Sequence, residues 1–206
     1  MIATNQARIY LASRSPRRRE LLHQIGVPFD TLLFRSGRRD DDDVDETPLA
    51  NEDPVDYVQR LARAKAAFGV ELVRERRLIA QPLLAADTTV VFGDEILGKP
   101  GSIDEAAAML GKLSGGTHRV LTAVAVAYGE RIEHALSVSE VRFRPLADEE
   151  IQRYARSGEP MDKAGAYGIQ GRAATFVSHL SGSYTGVMGL PLFETAALLG
   201  KFGIAI

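Results

Sequence analysis

The chain contains no cysteine. Disulfides, thiol catalysis and thiolate zinc sites are therefore excluded. Its four histidines, His23, His118, His134 and His179, are scattered, with no paired spacing for a metal. No apolar run approaches the roughly 20 residues of a membrane-spanning helix. The opening residues, Met1 to Arg8, lack the apolar core of a signal peptide. A cytoplasmic protein is the expectation. Net charge is almost absent too: 25 basic against 27 acidic residues leave a formal charge of −2. That balance argues against a general binder of nucleic acid or membrane surfaces, so any anion binding must be local. Several catalytic signatures are missing as well. There is no Gly-x-x-x-x-Gly-Lys-Ser/Thr, and Leu110-Gly111-Lys112-Leu113 is only a fragment of one. Gly-x-Gly-x-x-Gly after a strand, Gly-x-Ser-x-Gly and His-Glu-x-x-His are absent.

What is present is an ordinary globular composition, 45% hydrophobic and 25% charged over 206 residues. No repeat, low-complexity tract or long linker divides the chain, so residues 1–206 read as a single domain. Strands and helices are interspersed, with one antiparallel hairpin in the middle. That pattern predicts an α/β fold with a mixed central sheet flanked by helices.

The first stretch of interest is Ile9 to Leu22. An apolar strand (Ile9, Leu11, Ala12) stops at Ser13-Arg14-Ser15-Pro16, and a helix follows. Ser15 suits the N-cap and Pro16 the first helical position. Leu21, Leu22 and Ile25 supply the inward face, and Gly26 ends the helix. Arg17, Arg18 and Arg19 crowd its first turn, where the helix dipole disfavours cations by about 0.3–1 kcal/mol each. Such stacking points to an anion held there, with a solvated basic patch as the alternative.

Val27 to Phe34 predicts a second strand, followed by a mixed charge run, Arg35 to Glu46, that reads as a surface loop. Asp53-Pro54 opens a long helix with a stripe of Val58, Leu61, Ala62 and Leu72. Lys65 lies on that stripe, either snorkelling at its edge or aiming an ammonium into a site. Pro82 to Phe92 predicts a central strand apolar on both faces, interrupted by Asp87. A carboxylate buried there needs a lysine or a metal ion. Gly93-Asp94 predicts a tight turn and Glu95 to Leu97 a return strand, which brings Lys99 back toward the start of the Asp87 strand. Further predicted elements are a helix capped by Ser102, a hairpin of His118–Tyr128 and Ile132–Phe143, a helix over Leu146–Arg156, a strand over Ala173–Leu180 and a C-terminal helix from Pro191. Two polar, glycine-rich stretches, 162–171 and 181–191, read as flexible loops.

Arginines at a helix start, one acid in an apolar strand, two lysines and two glycine-rich loops suit phosphoryl chemistry, where positioning and charge neutralisation dominate. A Mg²⁺ or Mn²⁺ ion prefers oxygen ligands, for which Asp87 and Glu46 are the best candidates. Base and ligand cannot be separated for Asp87 from sequence. Gln170 offers both a donor and an acceptor to a ligand; alternatively its amide bonds the backbone of its own turn.

Ser13-Arg14-Ser15-Pro16-Arg17-Arg18 with Glu20-Leu21-Leu22, Ala85-Ala86-Asp87-Thr88, Gly98-Lys99-Pro100 and Asp162-Lys163-Ala164-Gly165-Ala166-Tyr167-Gly168-Ile169-Gln170-Gly171 resemble the Maf family of nucleoside triphosphate pyrophosphatases. The resemblance implies a fold like that of inosine triphosphate pyrophosphatases, with two lobes around a cleft. It also implies hydrolysis between the α- and β-phosphates with a divalent cation, and the 162–171 segment is similar to the branch acting on dTTP and UTP. By that resemblance Asp87 is the proton acceptor, and Arg17, Thr88 and Gln170 fall at positions tied to base selection. Ser13, Arg18, Glu46, Lys65 and Lys99 match other site positions. Two features depart from the family pattern: the longer, more charged loop before Glu46, and Arg14 in place of a small residue. The family resemblance implies homodimers, although no seam in the sequence shows one. It also leaves an alternative role, a nucleotide-binding regulator of septum formation with little turnover.

Overall fold

The first strand, β1 (Ile9–Leu11), is completely enclosed, and its apolar run explains why. In the computed structural model, which describes residues 8–34 and 44–206, it sits between two parallel neighbours. One is β2 (Phe29–Thr31), paired as Tyr10 with Asp30; the other is β3 (Leu83–Phe92), paired as Leu11 with Leu84. Among the described residues the hydrogen-bonded strand order is β2, β1, β3, β5 (Thr117–Tyr128), β6 (Arg131–Phe143), β7 (Val177–Ser181), with β4 (Glu95–Leu97) paired to β3 off that path. The mixed α/β fold expected from the sequence is the one observed.

Contacts divide the chain into two units. The first takes the described parts of Met1–Asp87 with Ala123–Leu136 and Gly189–Ile206; the second takes Thr88–Thr122 and Ser137–Met188.

In the first unit, helix α1 (Pro16–Gln24) follows β1 as expected, with the Ser15 hydroxyl accepting from the Arg18 N–H at 3.4 Å. Gly26, at φ +69°, lets the chain reverse so that the Val27 N–H reaches the Leu22 carbonyl. That bond, and Pro28 with no N–H to give, delay the start of β2, which runs Phe29–Thr31 where Val27–Phe34 is expected. Helix α2 (Pro54–Glu75) is capped by Asp53, whose carboxylate accepts from the Val55 N–H at 2.8 Å. Its buried stripe is Val58, Leu61, Ala62, Ala66, Gly69, Leu72 and Val73. It meets β3 at Gly69, where a Cβ would stand 2.5 Å from a Leu83 methyl.

In the second unit, β3 turns at Gly93 (φ +61°) into β4 (Glu95–Leu97), pairing Val90 with Leu97. Ser102 caps α3 (Ile103–Leu113) by accepting from Glu105 N–H at 3.1 Å. Of the long hairpin β5 (Thr117–Tyr128) and β6 (Arg131–Phe143), residues 117–122 and 137–143 belong to this unit and the remainder to the first. Helix α4 (Asp148–Ala155) begins two residues later than expected, after Ala147, whose backbone is extended and whose N–H donates to Glu150 Oε2 at 3.3 Å.

Two expectations are corrected here. Strand β7 is Val177–Ser181, and Arg172–Thr175 is a tight 3-10 turn instead. Ala173 and Ala174 hold the chain weakly to a strand, and the turn delivers Phe176 to the rings of Phe143 and Tyr154. The stretch read as a loop at 181–191 contains a short helix, α5 (Tyr184–Met188). Ser183 starts it, its hydroxyl accepting from Gly186 N–H at 3.0 Å. The C-terminal helix α6 (Leu192–Lys201) follows Pro191 as expected.

Candidate active site

Parallel strands place their carboxyl ends at one edge of a sheet, and ligands of open α/β sheets gather there. In the first unit that edge carries Ser13 and Ser15 beyond β1 and Asp87 three residues beyond the Leu11–Leu84 pairing. Asp87 is 9% exposed on a strand otherwise enclosed along Leu83–Ala86. It therefore requires a compensating cation, and Lys65 provides one. Lys65 lies one helical turn before Gly69, so the close Gly69–Leu83 approach brings its stem along β3 to Asp87. Lys65 Nζ donates to Asp87 Oδ1 at 2.9 Å and also contacts Glu46 Oε1. Burial acts against the Lys65 charge, but the two carboxylates and their hydrogen bonds outweigh it, and its pKa is raised.

Glu46 sits in an irregular segment, held there by helix α2. Tyr57 donates its hydroxyl proton to the Glu46 carbonyl at 3.0 Å. The Arg60 guanidinium donates to the Asp45 and Thr47 carbonyls and grips the Glu52 carboxylate at 2.6 and 2.7 Å. The Arg60 hydrogen bonds hold Glu52 down at about 2, well below the usual carboxylate range. Sequence reasoning missed Tyr57 and Arg60. They stand off the apolar stripe, and only a bidentate acid eight residues away betrays the arginine.

Arg18 turns back from the first turn of α1. Its Nε donates to the Gly189 carbonyl at 2.7 Å and its Nη1 to Ser13 Oγ at 3.3 Å. Desolvation lowers its pKa; the Asp87 charge opposes this, Arg17 adds to it, and Glu46 again opposes it. Ser13 Oγ also accepts from the Ser15 N–H at 3.2 Å. Arg17 stands half-buried one residue before Arg18 on the same turn. The first unit thus joins Ser13, Arg18, Glu46, Lys65 and Asp87 in one neighbourhood, with Arg17 on its helix.

The second unit carries Thr88, Lys99 and Gln170. Thr88 Oγ1 lies 3.1 Å from Thr122 Oγ1, which donates to the Gly186 carbonyl at 2.8 Å. Strand β4 runs back along β3 toward Thr88, and Gly98 and Lys99 follow it. The Gly98 carbonyl accepts from the Gly165 N–H at 3.0 Å, tying the lysine loop to the 162–171 segment. Gly165 has no substitute there: its φ is +67° and a Cβ would stand 2.8 Å from Val90. Gln170 is exposed, on a turn closed by the Gly171 N–H and the Gly168 carbonyl at 3.0 Å.

Divalent cations suit this chemistry only if hard oxygens are available. Glu46 and Asp87 present two anionic carboxylates flanking one ammonium, an oxygen set that Mg²⁺ or Mn²⁺ accepts. No group of three or more His, Cys, Asp or Glu side chains suited to a metal occurs among the described residues. An ion held by these two would complete its shell from substrate oxygens and water, as Mg²⁺ sites on phosphates do.

A mixed α/β protein with cationic groups beside a buried acid at the carboxyl edge of its parallel strands belongs to the class that handles small phosphorylated anions. Comparisons with known proteins narrow that class. The family described as "Maf-like protein" matches residues 8–202, and the chain belongs to that family. It is 62% identical over 196 residues to the dTTP/UTP pyrophosphatase of Dechloromonas aromatica (strain RCB), covering 95% of this chain and 98% of that protein. It is 61% identical over 199 residues to the dTTP/UTP pyrophosphatase of Aromatoleum aromaticum (strain DSM 19018 / LMG 30748 / EbN1), covering 96% and 97%. Among solved structures, the Staphylococcus aureus Ham1 protein aligns with 68% of this chain and 72% of its own, at TM-score 0.39 and 12% identity.

Proposed function

We propose that this protein is a nucleoside triphosphate pyrophosphatase that cleaves dTTP and UTP to the nucleoside monophosphate and pyrophosphate. The observation that carries the reading is the Glu46–Lys65–Asp87 cluster with Arg18 close by. A pure nucleotide binder has little use for a buried acid where phosphates must approach. Relatives of nearly full length and about three-fifths identity bear the name of this activity, which supports the substrate class.

In the proposed reaction Asp87 takes the proton of a water that attacks the α-phosphorus, as the α–β bridging bond breaks and pyrophosphate departs. Arg17, Arg18, Lys65 and Lys99 supply positive charge to the phosphate oxygens, and Ser13 a hydroxyl. Thr88, Gln170 and Arg17 are assigned to the base. A divalent cation, Mg²⁺ or Mn²⁺, would be held by Glu46 and Asp87, and would neutralise phosphate charge when bound. Residues 1–206 act as a single catalytic domain in this reading. The proposed compartment is the cytoplasm and the proposed assembly a homodimer, to be checked by light scattering. No helix among the described residues is long and apolar enough to cross a membrane.

The test is incubation of the purified protein with dTTP, UTP, CTP, ATP and GTP, with Mn²⁺, Mg²⁺ or excess chelator. Pyrophosphate and monophosphate should appear in equal amounts from dTTP and UTP, and chelator should stop the release. Tight binding without product would make the protein a regulator. Faster turnover of purine triphosphates would replace the pyrimidine assignment, and release of orthophosphate would move the cleaved bond.

A further inference from the structure

The turn that carries Gln170 is pinned at both ends by one side-chain pair. At its entry the Gly168 N–H donates to Tyr154 Oη at 3.3 Å; just past its exit the Arg172 N–H donates to Glu159 Oε2, also at 3.3 Å. The two acceptors are themselves joined, with the Tyr154 hydroxyl donating to Glu159 Oε1 at 2.9 Å. The glycines on either side of Ile169-Gln170 make room for this bracket. A Cβ on Gly171 would stand 2.0 Å from Glu159 Oε1, and one on Gly168 would stand 2.7 Å from Cε of Lys163. Lys163 Nζ in turn donates to the Glu159 carbonyl at 2.6 Å, fixing the backbone from which the carboxylate projects. Tyr154 is buried and its ring lies edge-on to Phe176, so the bracket has a rigid base on α4.

We infer that Glu159 is a positioning residue for Gln170: with Tyr154 it clamps the Gly168–Arg172 turn and thereby sets how the exposed Gln170 amide meets the base. The clause about the base rests on the pyrimidine reading above; the clamp itself does not. Glu159 reaches no reacting atom in this scheme. An amide that reads a donor–acceptor edge must hold its orientation before the nucleotide arrives, because a turn free to rotate would accept either edge. Both acceptor oxygens of Glu159 are needed. A glutamine there keeps one acceptor and turns an NH₂ group on either the Tyr154 hydroxyl or the Arg172 N–H.

The experiment compares wild type, Glu159→Ala, Glu159→Gln, Gly171→Ala and Gln170→Ala on UTP and CTP, whose bases differ at position 4. Amide hydrogen exchange at Gly168 and Arg172 is measured in parallel. The expected result for Glu159→Ala is a fall of about tenfold in the UTP-to-CTP ratio of kcat/KM, with kcat on a common poor substrate changed far less. Glu159→Gln should fall part of the way, and Gly171→Ala should resemble Glu159→Ala. Adding Gln170→Ala to Glu159→Ala should cost little more discrimination than either alone. Exchange at Gly168 and Arg172 should accelerate in each Glu159 variant. Unchanged exchange, or independent additive effects of the two substitutions, overturns the inference. If Glu159→Ala fails to fold, the Glu159→Gln data decide. If wild type shows no preference for UTP over CTP, the pyrimidine reading falls, and the exchange measurement still decides whether Glu159 holds the turn.

Discussion

Lys65 and Asp87 face each other at 2.9 Å from a helix and a strand, with their side chains 18% and 13% exposed. Glu46 reaches the same ammonium from an irregular segment. One ammonium thus bridges two carboxyl groups, and the formal charges of the trio sum to −1. That residual charge suits a divalent cation and makes the surrounding arginines necessary for an anionic nucleotide.

Replacing Asp87 with Asn keeps the shape and removes one negative charge. Turnover of dTTP should drop by at least about a hundredfold, the scale of a lost general base, while the dissociation constant stays level or tightens. Single-turnover kinetics and equilibrium binding of a non-hydrolysable analogue separate the two effects. Activity near wild type would remove Asp87 from the proton-acceptor role.

Lys65→Met strands two carboxylates without their shared partner. A broken, largely enclosed ion pair costs on the order of 3 kcal/mol. Urea denaturation should show a lower midpoint. Lys65→Arg, which keeps the positive charge, should retain most of the stability.

Arg60→Lys tests the brace on Glu46. A lysine offers no planar fork, so the Glu52 carboxylate and the Asp45 and Thr47 carbonyls cannot all be held. We expect kcat/KM to fall about tenfold, with Mn²⁺ required at higher concentration. A titration of activity against Mn²⁺ measures both effects.

His118 should make the second unit lose stability in acid. It lies 2% exposed, with Nε2 2.8 Å from Tyr167 Oη and its ring edge-on to Phe143. Burial pushes its pKa down to about 4. The unfolded chain, at about 6.5, binds a proton first as pH falls. Stability is therefore full above about 6.5, declines as pH falls, and stops declining below about 4. His118→Gln should flatten that slope in thermal melts run from pH 7 to 4, although its neutral-pH stability should also drop.

Much of the architecture is legible in local chemistry. Ser15-Pro16, Asp53-Pro54 and Ser102 mark helix starts because capping is satisfied within three residues, and Gly26 and Gly93 mark reversals because φ is positive there. The enclosed run around Asp87 announces a carboxylate in need of a cation, and the stripe of α2 puts Lys65 on the inward side. The limits appear where several conformations satisfy the same pattern. Ala173 and Ala174 suit a strand or a tight turn, and Ser183 caps a helix in a stretch rich in loop residues. Residues 35–43 of the charged run lie outside the described residues.

The sequence by itself determined which side chains have to be neutralised and roughly where helices begin, since both follow from neighbours along the chain. Only the tertiary structure decided that Glu46 shares its lysine with Asp87, that Arg60 secures the segment bearing Glu46, and that Tyr154 and Glu159 lock the Gln170 turn. Those contacts join irregular segments that carry no periodic signal. Polar partners are chosen there by whichever groups burial leaves without water, and that is settled only when the core closes.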